Sequence, residues 1–218
     1  HRPLCPVVRR IGVMKSWLAR SPLVAILRGV RPDEVEAICD ALEAEGVLIA
    51  EVPLNSPDPF ESIRRLAARF GERMLIGAGT VMTTAKVAEV AAAGGRLIVT
   101  PHADPAIVRA AKEHGMLAAP GFLSPAEAFS LLAAGADALK LFPAEGSSPA
   151  ALKAMRAVLP PETLTLPVGS VGVENIPAWR AAGAAGFGIG GSIYKPGDTA
   201  AAVAAKARAL VAACSLAS

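Results

Sequence analysis

Short apolar runs and helix-like segments alternate eight times along this chain, and that rhythm limits the fold more than any other feature. The apolar runs cover residues 22–28, 47–54, 74–80, 96–101, 117–121, 138–143, 164–169 and 186–190. Between them lie stretches rich in Ala, Leu, Glu, Lys and Arg, at 33–45, 59–70, 84–93, 105–114, 125–134, 149–159, 173–182 and 199–212. Strands that are apolar along their whole length need cover on both faces, which implies a parallel sheet. Eight strand–helix beats close naturally into a (β/α)₈ TIM barrel of class α/β, a single domain. A doubly wound open sheet is the rival arrangement.

Helix punctuation agrees with these boundaries. Pro32-Asp33, Ser124-Pro125 and Ser148-Pro149 open helices, because proline loses nothing in a first turn whose N–H groups are unpaired anyway. Gly46, Gly71, Gly94, Gly115, Gly135 and Gly183 stand where left-handed C-caps are expected. The 218 residues, 53% of them hydrophobic, suffice for one large core. Met14 reads as a native start, so residues 14–218 form the barrel and residues 1–13 are an N-terminal extension, a candidate expression remnant outside the fold.

Composition excludes several classes of function. The net charge of +3 is scattered, without basic blocks or interleaved aromatics, which argues against nucleic-acid binding. Mean hydropathy is high at +0.45, mainly through alanine. No stretch reaches about 18 apolar residues without a charge or breaker, so no membrane span is expected. Cys5, Cys39 and Cys214 are odd in number and widely spaced, which fits a reduced cytoplasmic protein. No His, Cys, Asp or Glu cluster has metal-ligand spacing, so no metal is expected.

In such a barrel the site lies at the C-terminal ends of the strands. Lys140 sits inside an apolar run, where alternation turns Leu139 and Leu141 toward the helices and Lys140 into the barrel. Desolvation favours a neutral amine, which can attack a ketone. A structural lysine paired with Glu51 is the alternative. Glu51 is a second charge within an apolar run, suited to moving protons beside an iminium or to an ion pair between barrel layers. Arg28 at the mouth of the first strand can hold a carboxylate bidentately, or pair at the surface. Thr80 offers a hydroxyl or a helix N-cap, and Pro101 and Phe142 end strands four and six at the rim. Gly169-Ser170 and Gly190-Gly191-Ser192 end the last two strands just before helices. Backbone N–H groups there could cradle a phosphate. His102 has no apparent carboxylate partner and is left out of the site.

Four segments carry a family likeness: Glu51-Val52-Pro53-Leu54, Gly77-Ala78-Gly79-Thr80-Val81, Leu139-Lys140-Leu141-Phe142-Pro143-Ala144-Glu145 and Gly190-Gly191-Ser192. With them the chain resembles the 2-keto-3-deoxy-6-phosphogluconate aldolase family. The resemblance implies a homotrimeric, cofactor-free barrel that splits a 2-keto-3-deoxy sugar-acid phosphate into pyruvate and D-glyceraldehyde 3-phosphate. It further implies Lys140 as the Schiff-base lysine and Glu51 as the general acid/base. Ile26-Leu27-Arg28-Gly29 and Pro53-Leu54-Asn55-Ser56-Pro57 are similar to the galactonate branch of that family. Gluconate-type members carry arginine where Asn55 stands and threonine where Val168 stands, so Arg28 is expected to supply the missing charge. Val168 is expected to alter preference at sugar C4. Ser170 replaces a second glycine, and Phe142-Pro143-Ala144-Glu145 is closer to the gluconate branch. The alternatives are cleavage of an unphosphorylated substrate such as 4-hydroxy-2-oxoglutarate, a phosphosugar isomerase or epimerase, and a non-catalytic phosphate-ligand-binding barrel.

Overall fold

The computed structural model describes residues 6–215 of the chain. Residues 1–5 of the expected extension, with Cys5, and residues 216–218 of the expected barrel lie outside the described residues. Among the described residues nine short strands occupy eight barrel positions: β1 (Leu23–Ile26), β2 (Ile49–Pro53), β3 (Leu75–Gly79), β4 (Leu97–Val99), β5 (Leu117–Ala119), β6 (Gly121–Phe122), β7 (Leu139–Leu141), β8 (Thr165–Pro167) and β9 (Phe187–Ile189). All pairings are parallel. β5-β4-β3-β2-β1-β9 form one sheet and β6-β7-β8 another. A bridge from Val168 to Gly188 joins β8 to β9.

The fifth run was expected to be one strand over 117–121, but it breaks into β5 and β6 at Pro120. Proline has no N–H to give the ladder. The seam is bridged locally: the Gly121 N–H donates to Thr100 Oγ1 at 3.2 Å, and the Lys140 N–H to the Pro120 carbonyl at 2.9 Å.

The helices around the ring are α2 (Val35–Ala44), α3 (Pro59–Phe70), α4 (Thr84–Ala92), α5 (Pro105–Glu113), α6 (Pro125–Ala133), α7 (Pro149–Arg156), α8 (Ile176–Ala181) and α9 (Ala200–Ser215). Ser124 and Ser148 accept hydrogen bonds from backbone N–H groups of the first turns of α6 and α7. The six expected C-cap glycines all have φ between +52° and +99°. Pro32-Asp33 does not open its helix: α2 starts at Val35, because residues 31–34 first form a turn in which Glu34 accepts from the Arg31 N–H at 3.2 Å.

One helix was not anticipated. α1 (Pro6–Arg20) precedes the first strand and runs without interruption through the expected boundary at Met14. Its Met14, Trp17 and Leu18 are buried against Val24, Ile49, Leu75, Leu97, Leu117 and Leu166, side chains that point into the barrel. Leu139, Leu141 and the apolar helix faces belong to a separate core between strands and helices. α1 therefore floors the barrel at its N-terminal end, and the strand alternation read from the sequence is the boundary between the two cores.

Candidate active site

Among the described residues three charged side chains are buried: Glu51, Asp137 and Lys140. Asp137 is fully engaged. It accepts from the Ala118 N–H at 2.8 Å and pairs with the Lys112 ammonium, so it ties β5 to the start of the next unit. Glu51 and Lys140 are different. Glu51 is 1% exposed and its Oε2 has no hydrogen-bond partner; Lys140 is 6% exposed. The two form no ion pair within 4.0 Å, so the layer-bridging salt bridge considered from the sequence is absent among the described residues.

Both side chains line one cavity of about 20 Å³, otherwise walled by apolar groups, among them Met14, Ile26, Val99 and Val168. That space admits about one water molecule. Burial in it raises the Glu51 carboxyl to about 7, against the opposing pull of Lys140 and Arg28. Burial likewise lowers the Lys140 ammonium, with Glu51 opposing and Arg28 assisting. The Lys140 Nζ lies 4.6 Å from the Phe142 ring centroid, so that ring shapes the amine's surroundings. A carboxyl and an amine, each moved toward neutrality and facing one apolar-walled space, are equipped for proton transfer and nucleophilic attack.

The register places these groups. Glu51 pairs with Ile26 on one side and Gly77 on the other, and Lys140 pairs with Gly121 and Leu166. A β-carbon on Gly79 would overlap the Glu51 carboxylate, so the bare main chain of β3 is what gives that carboxylate room. Likewise, a β-carbon on Gly188 would stand 2.5 Å from Val168 Cγ2, so that glycine makes room for Val168 in the barrel wall.

Arg28 lies at the exposed mouth. It donates to Asn55 Oδ1 at 2.6 Å and, more loosely, to Thr80 Oγ1 at 3.4 Å. Thr80 is not a helix N-cap, since Thr83 caps α4; its φ of +54° instead turns its hydroxyl toward Arg28. Pro101 is half-buried beside Gly121, where an added β-carbon would lie 2.6 Å from the Pro101 carbonyl carbon. His102 does have a carboxylate nearby, Asp104, with Nε2 4.0 Å from Oδ2, but that carboxylate is occupied in capping α5.

The loops after β8 and β9 meet. Ser192 Oγ would lie 3.5 Å from a β-carbon at Gly172. Gly169 has φ +113° and Ser170 φ +52°, a left-handed conformation that glycine adopts at less cost than serine. Asn175 fixes this loop, accepting from the Gly172 N–H at 3.0 Å and donating to the Ser170 carbonyl at 2.8 Å. Among the described residues the backbone N–H groups of Ser170, Gly191 and Ser192 make no hydrogen bond, which leaves three donors free at the rim, while Gly169 is held beside Gly188 by the bridge that joins β8 to β9. The helices begin later than expected from the sequence, at Ile176 and Ala200, so an anion here would be met by turn N–H groups rather than by helix ends.

Sequence reasoning brought Lys140, Glu51, Val168, Arg28 and Thr80 to one end of one barrel, and the two glycine loops to its rim. It missed the spatial role of Gly79, the clamp of Asn55 on Arg28, and Met14 as cavity floor. Gly79 was visible only as part of a motif. The Asn55 clamp depends on the register of β1 against β2.

Known proteins resemble this chain along most of its length. The family model "KDPG and KHG aldolase" matches residues 14–206. A Rhizobium meliloti (strain 1021) protein named "Probable 2-dehydro-3-deoxy-6-phosphogalactonate aldolase" is 46% identical over 192 residues, 88% of this chain and 91% of its own. A solved structure described as "Native KDPGal structure" superposes with a TM-score of 0.88 at 42% identity, covering 90% of this chain and 95% of that one. A KDPG aldolase from Legionella pneumophila, with pyruvate captured as a covalent carbinolamine, superposes with a TM-score of 0.76 at 26% identity, covering 94% and 97%.

Proposed function

The chain belongs to the KDPG and KHG aldolase family and is a class I aldolase, a carbon–carbon lyase; from that premise we propose that it cleaves 2-dehydro-3-deoxy-6-phosphogalactonate to pyruvate and D-glyceraldehyde 3-phosphate, with Lys140 as nucleophile. The observation that carries this reading is the shared cavity: Lys140 and Glu51, buried and without an ion pair, face the same water-sized space.

The Lys140 amine adds to the C2 ketone, and loss of water from the carbinolamine gives a protonated imine. A base removes the C4 hydroxyl proton while the C3–C4 bond breaks, and the electron pair passes into the iminium to leave an enamine. Glyceraldehyde 3-phosphate departs. Protonated Glu51 then delivers its proton to C3, and water hydrolyses the iminium to pyruvate and free Lys140. A carboxyl at about 7 suits both halves of this proton traffic near neutral pH. Arg28, steered by Asn55 and Thr80, receives the substrate carboxylate, with Pro101 and Phe142 beside the pyruvyl end. The free N–H groups of Ser170, Gly191 and Ser192, in the loops that Gly169 and Gly190 open, receive the phosphate.

Val168 presents only methyl groups to the cavity where a threonine would offer a hydroxyl. Pyruvate release is therefore expected to be roughly two- to tenfold faster, in kcat/KM, from the galactonate substrate than from its C4 epimer, the worth of one hydrogen bond. A coupled pyruvate assay on the two epimers tests this, and equal or faster cleavage of the gluconate substrate would refute it.

The homo-oligomer in this proposal is a trimer. Its support is one structural neighbour, a protein cage "designed by fusing symmetric oligomeric domains", together with exposed apolar side chains at Met82, Leu123 and Phe129 and the family resemblance of the sequence. Light scattering should return three times the 22.2 kDa chain mass, and a monomeric mass would contradict it. A cytoplasmic setting accords with Cys39 and Cys214 being free thiols, and no helix among the described residues is long and apolar enough to cross a membrane.

A further inference from the structure

Glu145 follows β7 in a one-turn 3₁₀ helix (Ala144–Gly146), and nothing in the mechanism above uses it. The turn is pinned to the neighbouring strand end, since the Ala144 N–H donates to the Val168 carbonyl at 2.8 Å. The Glu145 carboxylate rests against Gly169, so closely that a β-carbon on Gly169 would overlap Oε2. It is exposed at the mouth, and among the described residues it has neither a hydrogen bond nor an ion pair.

A bare carboxylate beside an anion cradle needs an explanation. It can only accept hydrogen bonds, and it repels a phosphate unless a donor lies between them. Gly169 stands three residues beyond Leu166, the register partner of Lys140, so Glu145 lies past the strand ends, on the side of the barrel where the two glycine loops meet. That is the phosphate end of a six-carbon chain whose C2 is bonded to Lys140. The donor available there is the hydroxyl next to the phosphate-bearing carbon.

We infer that Glu145 is a specificity-determining residue that accepts a hydrogen bond from the C5 hydroxyl of the substrate, and so rejects phosphorylated chains that lack it. This rests on the proposed phosphorylated substrate.

The test runs the reaction toward condensation. Pyruvate is offered with glyceraldehyde 3-phosphate, whose 2-hydroxyl becomes the C5 hydroxyl, or with 3-phosphopropanal, which lacks it. The wild type should prefer the hydroxylated aldehyde by roughly ten- to a hundredfold in kcat/KM, as expected for a hydrogen bond to a charged acceptor. Glu145→Ala should reduce that preference to about threefold or less, and Glu145→Gln, which keeps an acceptor without the charge, should fall between. Exchange of the pyruvate methyl hydrogens reports, in each variant, that the centre is folded and assembled. Undiminished preference in Glu145→Ala, or an equal loss with both aldehydes, overturns the inference alone. Failure of the wild type to condense either phosphorylated aldehyde overturns the substrate class and the inference together.

Discussion

Replacing Lys140 by alanine should lower kcat/KM by about 10⁴-fold or more, because binding and positioning survive while the covalent route is lost. The same variant should gain no mass when treated with pyruvate and borohydride, whereas the wild type should carry a reduced pyruvyl group on a peptide containing Lys140. Lys140→Arg separates charge from nucleophilicity. It keeps the cation that Glu51 faces but offers no free amine, so it should be as inactive as the alanine variant. Appreciable turnover by Lys140→Arg would favour an isomerase or epimerase mechanism without an imine. Removing a desolvated ammonium should not unfold the barrel, since Lys140 has no ion pair whose partner would be stranded.

Glu51→Gln should lower kcat by roughly 10²- to 10⁴-fold, the range of a positioned acid or base. It should spare the pyruvyl–lysine adduct more than turnover, because imine formation needs the amine first. The wild-type profile should bend near pH 7, and that limb should vanish in the variant. Stability gives an independent reading. The folded-state pKa of Glu51 lies above its ordinary value of 4.5, so its contribution is fully favourable below 4.5 and is lost as pH rises through about 7. Above pH 7 the buried carboxylate is ionised without a hydrogen-bond partner on Oε2, and glutamine should melt higher than the wild type there. The difference should close as pH falls from 7 to 4.5. A wild-type melting advantage above pH 7 would contradict this account of Glu51.

Much of the fold was legible because buried parallel strands carry few polar residues and the helices announce their ends. Ser124, Ser148 and the six left-handed glycines cap where the sequence places them. The break at Pro120 was not legible, because an apolar run does not reveal which carbonyls its neighbours will need. α1 was missed because its buried face is meaningful only against a barrel floor that the rest of the chain must first build. The chemistry was legible where it violates the local pattern: Lys140 and Glu51 are charges in strands that otherwise tolerate none. Arg28 was legible as a mouth residue, but its clamp by Asn55 spans 27 positions and follows only from strand register. Glu145 could not be singled out, since a charge in a loop after proline is ordinary until its neighbour is seen to be Gly169.

The niche beneath Glu51 has a consequence for anyone moving this chemistry to another scaffold. The carboxylate is lodged in the volume left by a missing methyl on the adjacent strand, at Gly79. A transplanted acid/base therefore cannot travel as one side chain. The smallest portable unit is a cassette of β2 and β3 in their native register, one strand bringing the acid and the other its vacancy.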